Sequence, residues 1–197
     1  MRPFRFPLAS LACLLAGISF IFACGLLAHA ATKRDHLTEL EAEQVRAAQI
    51  LDKRIEVFIK IAERRLLALS DPNAATNKQV QKDVEKWGEL PKGTRTELFH
   101  DLAKILDEAI TNIDDVAARD ANNRLLPKAL RKLSAASTRF ISQLTPMRTQ
   151  AKDETEREAL EQALENAQSI VEAANRLPPE VKEEKEKDKK KTEKNKS

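Results

Sequence analysis

The 197-residue sequence is poor in the residues that most often carry chemistry or special backbone geometry, with two cysteines, four glycines, three histidines, one tryptophan and no tyrosine. Both cysteines, Cys13 and Cys24, fall in an apolar stretch near the amino terminus. The rest of the chain therefore offers no disulfide, no thiolate metal ligand, no cysteine nucleophile and no attachment point for covalent haem. Between residues 31 and 177 the only glycines are Gly88 and Gly93, which excludes the glycine-rich loops that cradle phosphates or dinucleotides. No serine sits in a Gly-x-Ser-x-Gly elbow. Strand-like alternation and internal repeats are absent too, so stability must come from packed helices.

The amino-terminal segment places Arg2 and Arg5 before an uncharged apolar run from Leu8 to Ala28. Ala28-His29-Ala30 then fits the small-x-small pattern of a signal-peptide cleavage site, with Ala31 as the first mature residue. The run is also long enough to span a bilayer, so an uncleaved membrane anchor is the alternative. Lipid attachment at Cys24 is a third option. All three put the body outside the cytoplasm, because the positive charges before the run hold the amino terminus inside. The expected localisation is extracytoplasmic, periplasmic or secreted, with a single-pass anchored form as the variant.

At the other end, residues 178–197 read PPEVKEEKEKDKKKTEKNKS, with Val181 the only large apolar residue. Such a segment cannot bury enough apolar surface to offset its ordering entropy, and a disordered Lys/Glu-rich tail is expected. The net charge of +3 comes from the ends. Residues 1–30 and 180–197 each contribute two net positive charges, leaving the body near neutrality. Nucleic acid is therefore disfavoured as a partner by charge as well as by compartment.

Residues 31–177 make one domain. Apolar residues at three-four spacing predict a long first helix over about 32–69, with Leu37, Leu40, Ala47, Leu51, Ile55, Phe58, Ala62, Leu66 and Leu69 as its stripe. A short amphipathic helix follows over about 76–90, carrying Val80, Val84, Trp87 and Leu90. Thr94-Arg95-Thr96-Glu97 is a capping-box pattern opening a helix to about Ala121. Pro127 suits the first turn of the next helix, which starts near Leu126 and is ended or kinked by Pro146. A last helix is expected over about 153–176. The fold class is all-α: an antiparallel four-helix-type bundle with one long N-terminal helix, a short extra helix and the charged tail.

The chemical candidates fail on spacing or phase. Glu97-Leu98-Phe99-His100 has the Glu-x-x-His spacing of di-iron bundles, and Met147 is a conceivable axial partner for His100. His100 lies opposite the stripe of Leu98, Leu102 and Ile105, however, and the other carboxylates and second Glu-x-x-His of such a site are missing. His36 lacks companion zinc ligands. Asp114 and Asp115 are adjacent rather than facing, and Trp87 reads as a packing residue. No catalytic residue, metal site or cofactor is assigned, and the protein is read as not an enzyme.

One feature stands out. Residues 121–152 hold seven basic residues and no acidic one. On the helix over 126–144, Arg124, Lys128, Arg131, Lys132 and Arg139 fall opposite the apolar stripe, a candidate solvent-facing basic binding row about 22 Å long. The next helix carries Glu154, Glu158, Glu161, Glu165 and Glu172 away from its own apolar face. The expected partners are anionic lipid head groups, a cell-wall polymer or a second copy, each weakened by salt.

Leu144-Thr145-Pro146-Met147-Arg148 is similar to the Leu-Thr-x-x-Gln motif of small helical periplasmic stress chaperones. The similarity covers five residues and Arg148 stands where the motif has glutamine, so membership does not follow. It implies a holdase as the alternative to an envelope protein acting by binding or assembly.

Overall fold

The structure is a computed structural model, and it describes residues 35–179. The expectations for the amino-terminal segment, including Cys24, Ala28 and Ala30, and for the tail from residue 180 fall outside the described residues. Among the described residues every regular element is helical: α1 Glu39–Ala47, α2 Leu51–Ser70, α3 Lys78–Trp87, α4 Arg95–Arg119, α5 Leu125–Leu144 and α6 Glu154–Asn175, with 3-10 turns at Ala74–Thr76 and Thr145–Gln150. No described helix is long and apolar enough to cross a membrane.

The helix boundaries follow local chemistry. Thr94 caps α4 by accepting from the Glu97 amide while Glu97 reaches back to the Thr94 amide, the reciprocal box its sequence promises. Asp153 caps α6 in the simpler way, accepting from Glu156. Pro127 lies in the first turn of α5, and Pro146 sits inside the 3-10 turn that follows Leu144.

The single long first helix is corrected. Residues 48–50 leave the helical path, with Ala48 at φ −81°, ψ 84° and Ile50 at φ −85°, ψ 128°. No glycine or proline forces this bend. It is held from outside: Arg54 Nε donates to the Ala48 carbonyl at 2.8 Å and its Nη1 to Asn112 Oδ1 at 3.0 Å. α1 then folds back along α2, starting from its own capping box between Thr38 and Glu41. Leu40, expected in the core stripe, is consequently 39% exposed, and Ile50 at the bend is 58% exposed.

α2, α4, α5 and α6 share the core. α2 and α6 each pack on both α4 and α5. α4 and α5, consecutive in sequence, touch each other far less than either touches α2 or α6. Matched residue pairs give directions. Arg65 faces Asp101 and Arg54 faces Asn112, so α2 and α4 are antiparallel. Asp52 meets Lys132 while Glu63 meets Arg139, so α2 and α5 run the same way. α4 and α6 are likewise parallel, with Arg95 on Glu156 and Ala103 on Asn166. Because the short link at 120–124 joins two helices that pack little on each other, chain order and packing order differ.

The core holds Ile55, Phe58, Phe99, Leu102, Ile105, Leu133, Phe140, Leu160 and Leu164, each no more than 1% exposed. Burial of this kind is the dominant stabilising term, about 25 cal/mol per Å² of apolar surface. On α6, Ala159, Ala163 and Ala167 are fully buried, which lets neighbouring helices approach closely.

Candidate functional site

The basic row on α5 is where sequence reasoning looked for a binding surface. Its five side chains do not share one environment. Lys132 is half-buried and donates to Asp52 at 2.6 Å and to Glu56 at 2.5 Å, both on α2. Arg139 pairs with Glu63 of α2 at 3.1 Å. These two cations form a cross-helix seam rather than an open face. Lys128 reaches Asp52 at 3.4 Å but stays 61% exposed. Arg131 donates to the Pro178 carbonyl at 2.5 Å. Arg124 is exposed and has no ion pair among the described residues.

The acids of α2 explain the difference. Asp52 and Glu56 lie one turn apart on the flank of α2 that meets α5, and the parallel run of the two helices brings Lys128 and Lys132 alongside them. The Lys132 hydrogen bond, against the opposing effect of burial and with help from Lys128, lowers the Asp52 carboxyl below its ordinary value of 3.8. Lys132 also lowers Glu56, with Lys53 assisting. For Lys132 itself burial acts downward, yet its bonds to Asp52 and Glu56 raise it above 10.5. The positive charge that no described carboxylate matches is thus concentrated at the start of α5, in Arg124 and Arg131, with Lys128 sharing Asp52 with Lys132.

On α6, Glu161 pairs with Arg148 at 2.6 Å and Glu154 with Arg157, whereas Glu158, Glu165 and Glu172 are exposed. His100 is exposed, while Met147 is 8% exposed. His36 bonds Glu108 at 2.8 Å. Trp87 is 7% exposed and belongs to the core, with Lys86 over its ring at 5.4 Å. No group of three or more potential metal ligands occurs among the described residues.

Two features escaped the sequence reading. The first is a buried ionic knot under α1. Glu41, fully buried, accepts from Arg64 Nε at 3.1 Å and from Arg65 Nη1 at 2.5 Å. Arg64 Nη2 also donates to the carbonyls of Trp87, Gly88 and Glu89, and Arg65 Nη2 to that of His36. Gly88 makes this fan of carbonyls possible: its φ of +74° with ψ of −177° belongs to a region essentially reserved for glycine. Burial pushes the Glu41 carboxyl up, but the Arg65 bond and charge, the Thr38 amide and Arg64 together bring it below 4.5. The signal was present in sequence, because Arg65 occupies a core phase of α2 beside Phe58, Ile61, Ala62 and Leu69.

The second is an apolar cleft of about 480 Å³ beyond the end of α2, lined by Ala68, Pro72, Val80, Val84, Leu90 and Pro91 and rimmed by Asp71, Glu89 and Lys92. It arises because α3 lies outside the four-helix core, buried only through Val80 and Trp87. Val84 is 38% exposed at its edge. The cleft can receive an apolar side chain; its rim pair, Glu89 with Lys92 at 2.7 Å, is already neutralised.

No family model matches the chain, and neither a curated protein nor a solved structure matches it at a significant level.

Proposed function

We propose that this chain is a non-enzymatic binding module of the cell envelope, built as a four-helix-type bundle, that engages anionic head groups or polymer through the start of α5. The observation that carries this reading is the charge distribution of α5: residues 121–152 hold no acid, Lys132 and Arg139 pair with α2 carboxylates, and Arg124, Arg131 and Lys128, the last 61% exposed beside Asp52, leave positive charge at the start of the helix. A cationic patch of this kind attracts anionic surfaces by roughly 1 kcal/mol per basic residue near the surface, and the attraction decays within a Debye length. The extracytoplasmic setting rests on the amino-terminal sequence alone.

The test is co-sedimentation of the full chain with vesicles rich in anionic lipid, and with an anionic wall polymer, across a salt series. Binding that weakens with salt, and weakens further when Arg124, Lys128 and Arg131 are changed together to glutamine, supports the reading. Equal binding by wild type and the triple variant removes it.

The apolar cleft favours a second reading, a holdase that receives apolar side chains of unfolded clients. Suppression of client aggregation that is lost in Val84→Asp supports it. No suppression across several clients removes it.

A further inference from the structure

The apolar stripe of α1 and α2 is continuous in sequence, yet the chain bends between them at Ala48-Gln49-Ile50. None of these three residues is a helix breaker, and Ile50 is left 58% exposed by the bend. α1 buries only one of its side chains, and that one is the Glu41 carboxylate in the Arg64–Arg65 knot. A helix seated through an ionic plug and half-buried contacts, Val45 within it and Leu37 just ahead of it, has no deep apolar anchor of its own.

The geometry points to exchange of α1 between two copies of this chain: residues 48–50 straighten, α1 and α2 become one helix, and Glu41 of each copy enters the Arg64–Arg65 receptor of the other. The contacts of Glu41 with its receptor are rebuilt in the exchanged form, because the receptor and the plug are unchanged. What differs is the bend. Straightening extends the helical ladder through Ala48 and Ile50 and releases Arg54 from the Ala48 carbonyl. Exchange is therefore decided by residues 48–54 and by concentration. This surface is separate from the α5 patch, since neither Arg124 nor Arg131 takes part in it, so either proposal can fail alone.

The knot specifies what can occupy the receptor. Arg64 Nε and Arg65 Nη1 converge on a single carboxylate oxygen, while Arg64 Nη2 is held by the Trp87, Gly88 and Glu89 carbonyls of its own copy and Arg65 Nη2 takes the His36 carbonyl that travels with α1. A second copy brings that carboxylate on a helix already capped by its own Thr38 and flanked by Leu40, whose Cδ1 comes within 3.2 Å of a β-carbon placed on Gly88. The fit includes a glycine-sized space beneath Leu40 as well as the charge.

The experiment uses the full chain in detergent with Cys13 and Cys24 changed to serine. One copy carries a donor dye on Glu43→Cys, the other an acceptor on Lys86→Cys; both positions are exposed, and Lys86 lines the same groove as Gln44 and Ala47. Energy transfer between copies that grows with concentration is expected. Ile50→Pro in both copies should cut it more than about tenfold, because proline suits the dihedrals of the bend and disrupts a straight helix interior. Arg54→Ala, which releases the bend, should raise it. Thermal melts by circular dichroism establish that both variants fold. Absence of transfer in wild type and in Arg54→Ala overturns the proposal, as does transfer that Ile50→Pro leaves unchanged, which would locate association elsewhere in the chain.

Discussion

Arg65 of α2 holds Glu41 of α1 at 2.5 Å in a site where both side chains are at most 1% exposed. Removing one partner of such a pair leaves the other charged, buried and unsolvated. Glu41→Ala is therefore expected to destabilise the fold by about 3–5 kcal/mol in urea unfolding. Replacing Glu41 by leucine together with Arg65 by methionine should recover most of that loss. If the double variant is no better than the single one, the cost lies in packing rather than in charge.

The same residue sets an acid limit. The folded-state carboxyl of Glu41 sits below its ordinary 4.5, so the folded form binds fewer protons than the unfolded chain over that interval. Its contribution is present above pH 4.5 and is lost as pH falls through the depressed folded value. Unfolding free energy measured against pH should decline over this window. In Glu41→Gln the decline should be shallower.

Lys132 and Arg124 lie on one helix but should respond differently to neutralisation. Lys132→Gln takes a donor from Asp52, which is 5% exposed, and is expected to cost about 1–2 kcal/mol after allowance for its partial solvent access. Arg124→Gln should change stability by less than about 0.5 kcal/mol. Denaturant midpoints of the two variants decide this. Equal effects would mean that the seam to α2 contributes nothing.

The core should follow its burial. Ile105→Ala, at a fully buried position, is expected to cost about 2–5 kcal/mol through lost transfer energy and an unfilled cavity. Thr94→Ala, which removes one cap hydrogen bond of α4, should cost about 1 kcal/mol. Thermal unfolding of the pair therefore separates packing from capping at the two scales.

Helix positions were legible wherever periodicity and punctuation agreed. Thr94 with Glu97, Pro127 and Asp153 marked their boundaries within a residue or two. The break at 48–50 was not legible, because the signal that continues a helix, an unbroken apolar stripe, was overruled by a tertiary bond from Arg54. Thr38-Glu39-Leu40-Glu41 did carry a capping box inside the expected long helix, a start signal outweighed by the stripe around it. Helical phase alone put the α5 row opposite the apolar stripe. Its pairing with Asp52, Glu56 and Glu63 was hidden, since phase alone does not reveal which neighbour a face meets, and the parallel approach of α2 and α5 depends on the whole packing order. Arg64 and Arg65 were passed over in the sequence, though helical phase puts Arg65 in the core.

That packing order also governs when the molecule can form. The partners that line α2 on its α5 side, Lys132 and Arg139, lie 80 and 76 residues beyond Asp52 and Glu63. While the chain is still being synthesised, α2 can close against α1 and α4, but its α5 side stays open until α5 has emerged. Such distant contacts slow folding relative to a bundle of sequential hairpins, because long loops must close before any of them is rewarded. Acquisition of structure is then expected as one late, cooperative event, and the interval before it is when the growing chain most needs a companion to keep α2 from the wrong partner.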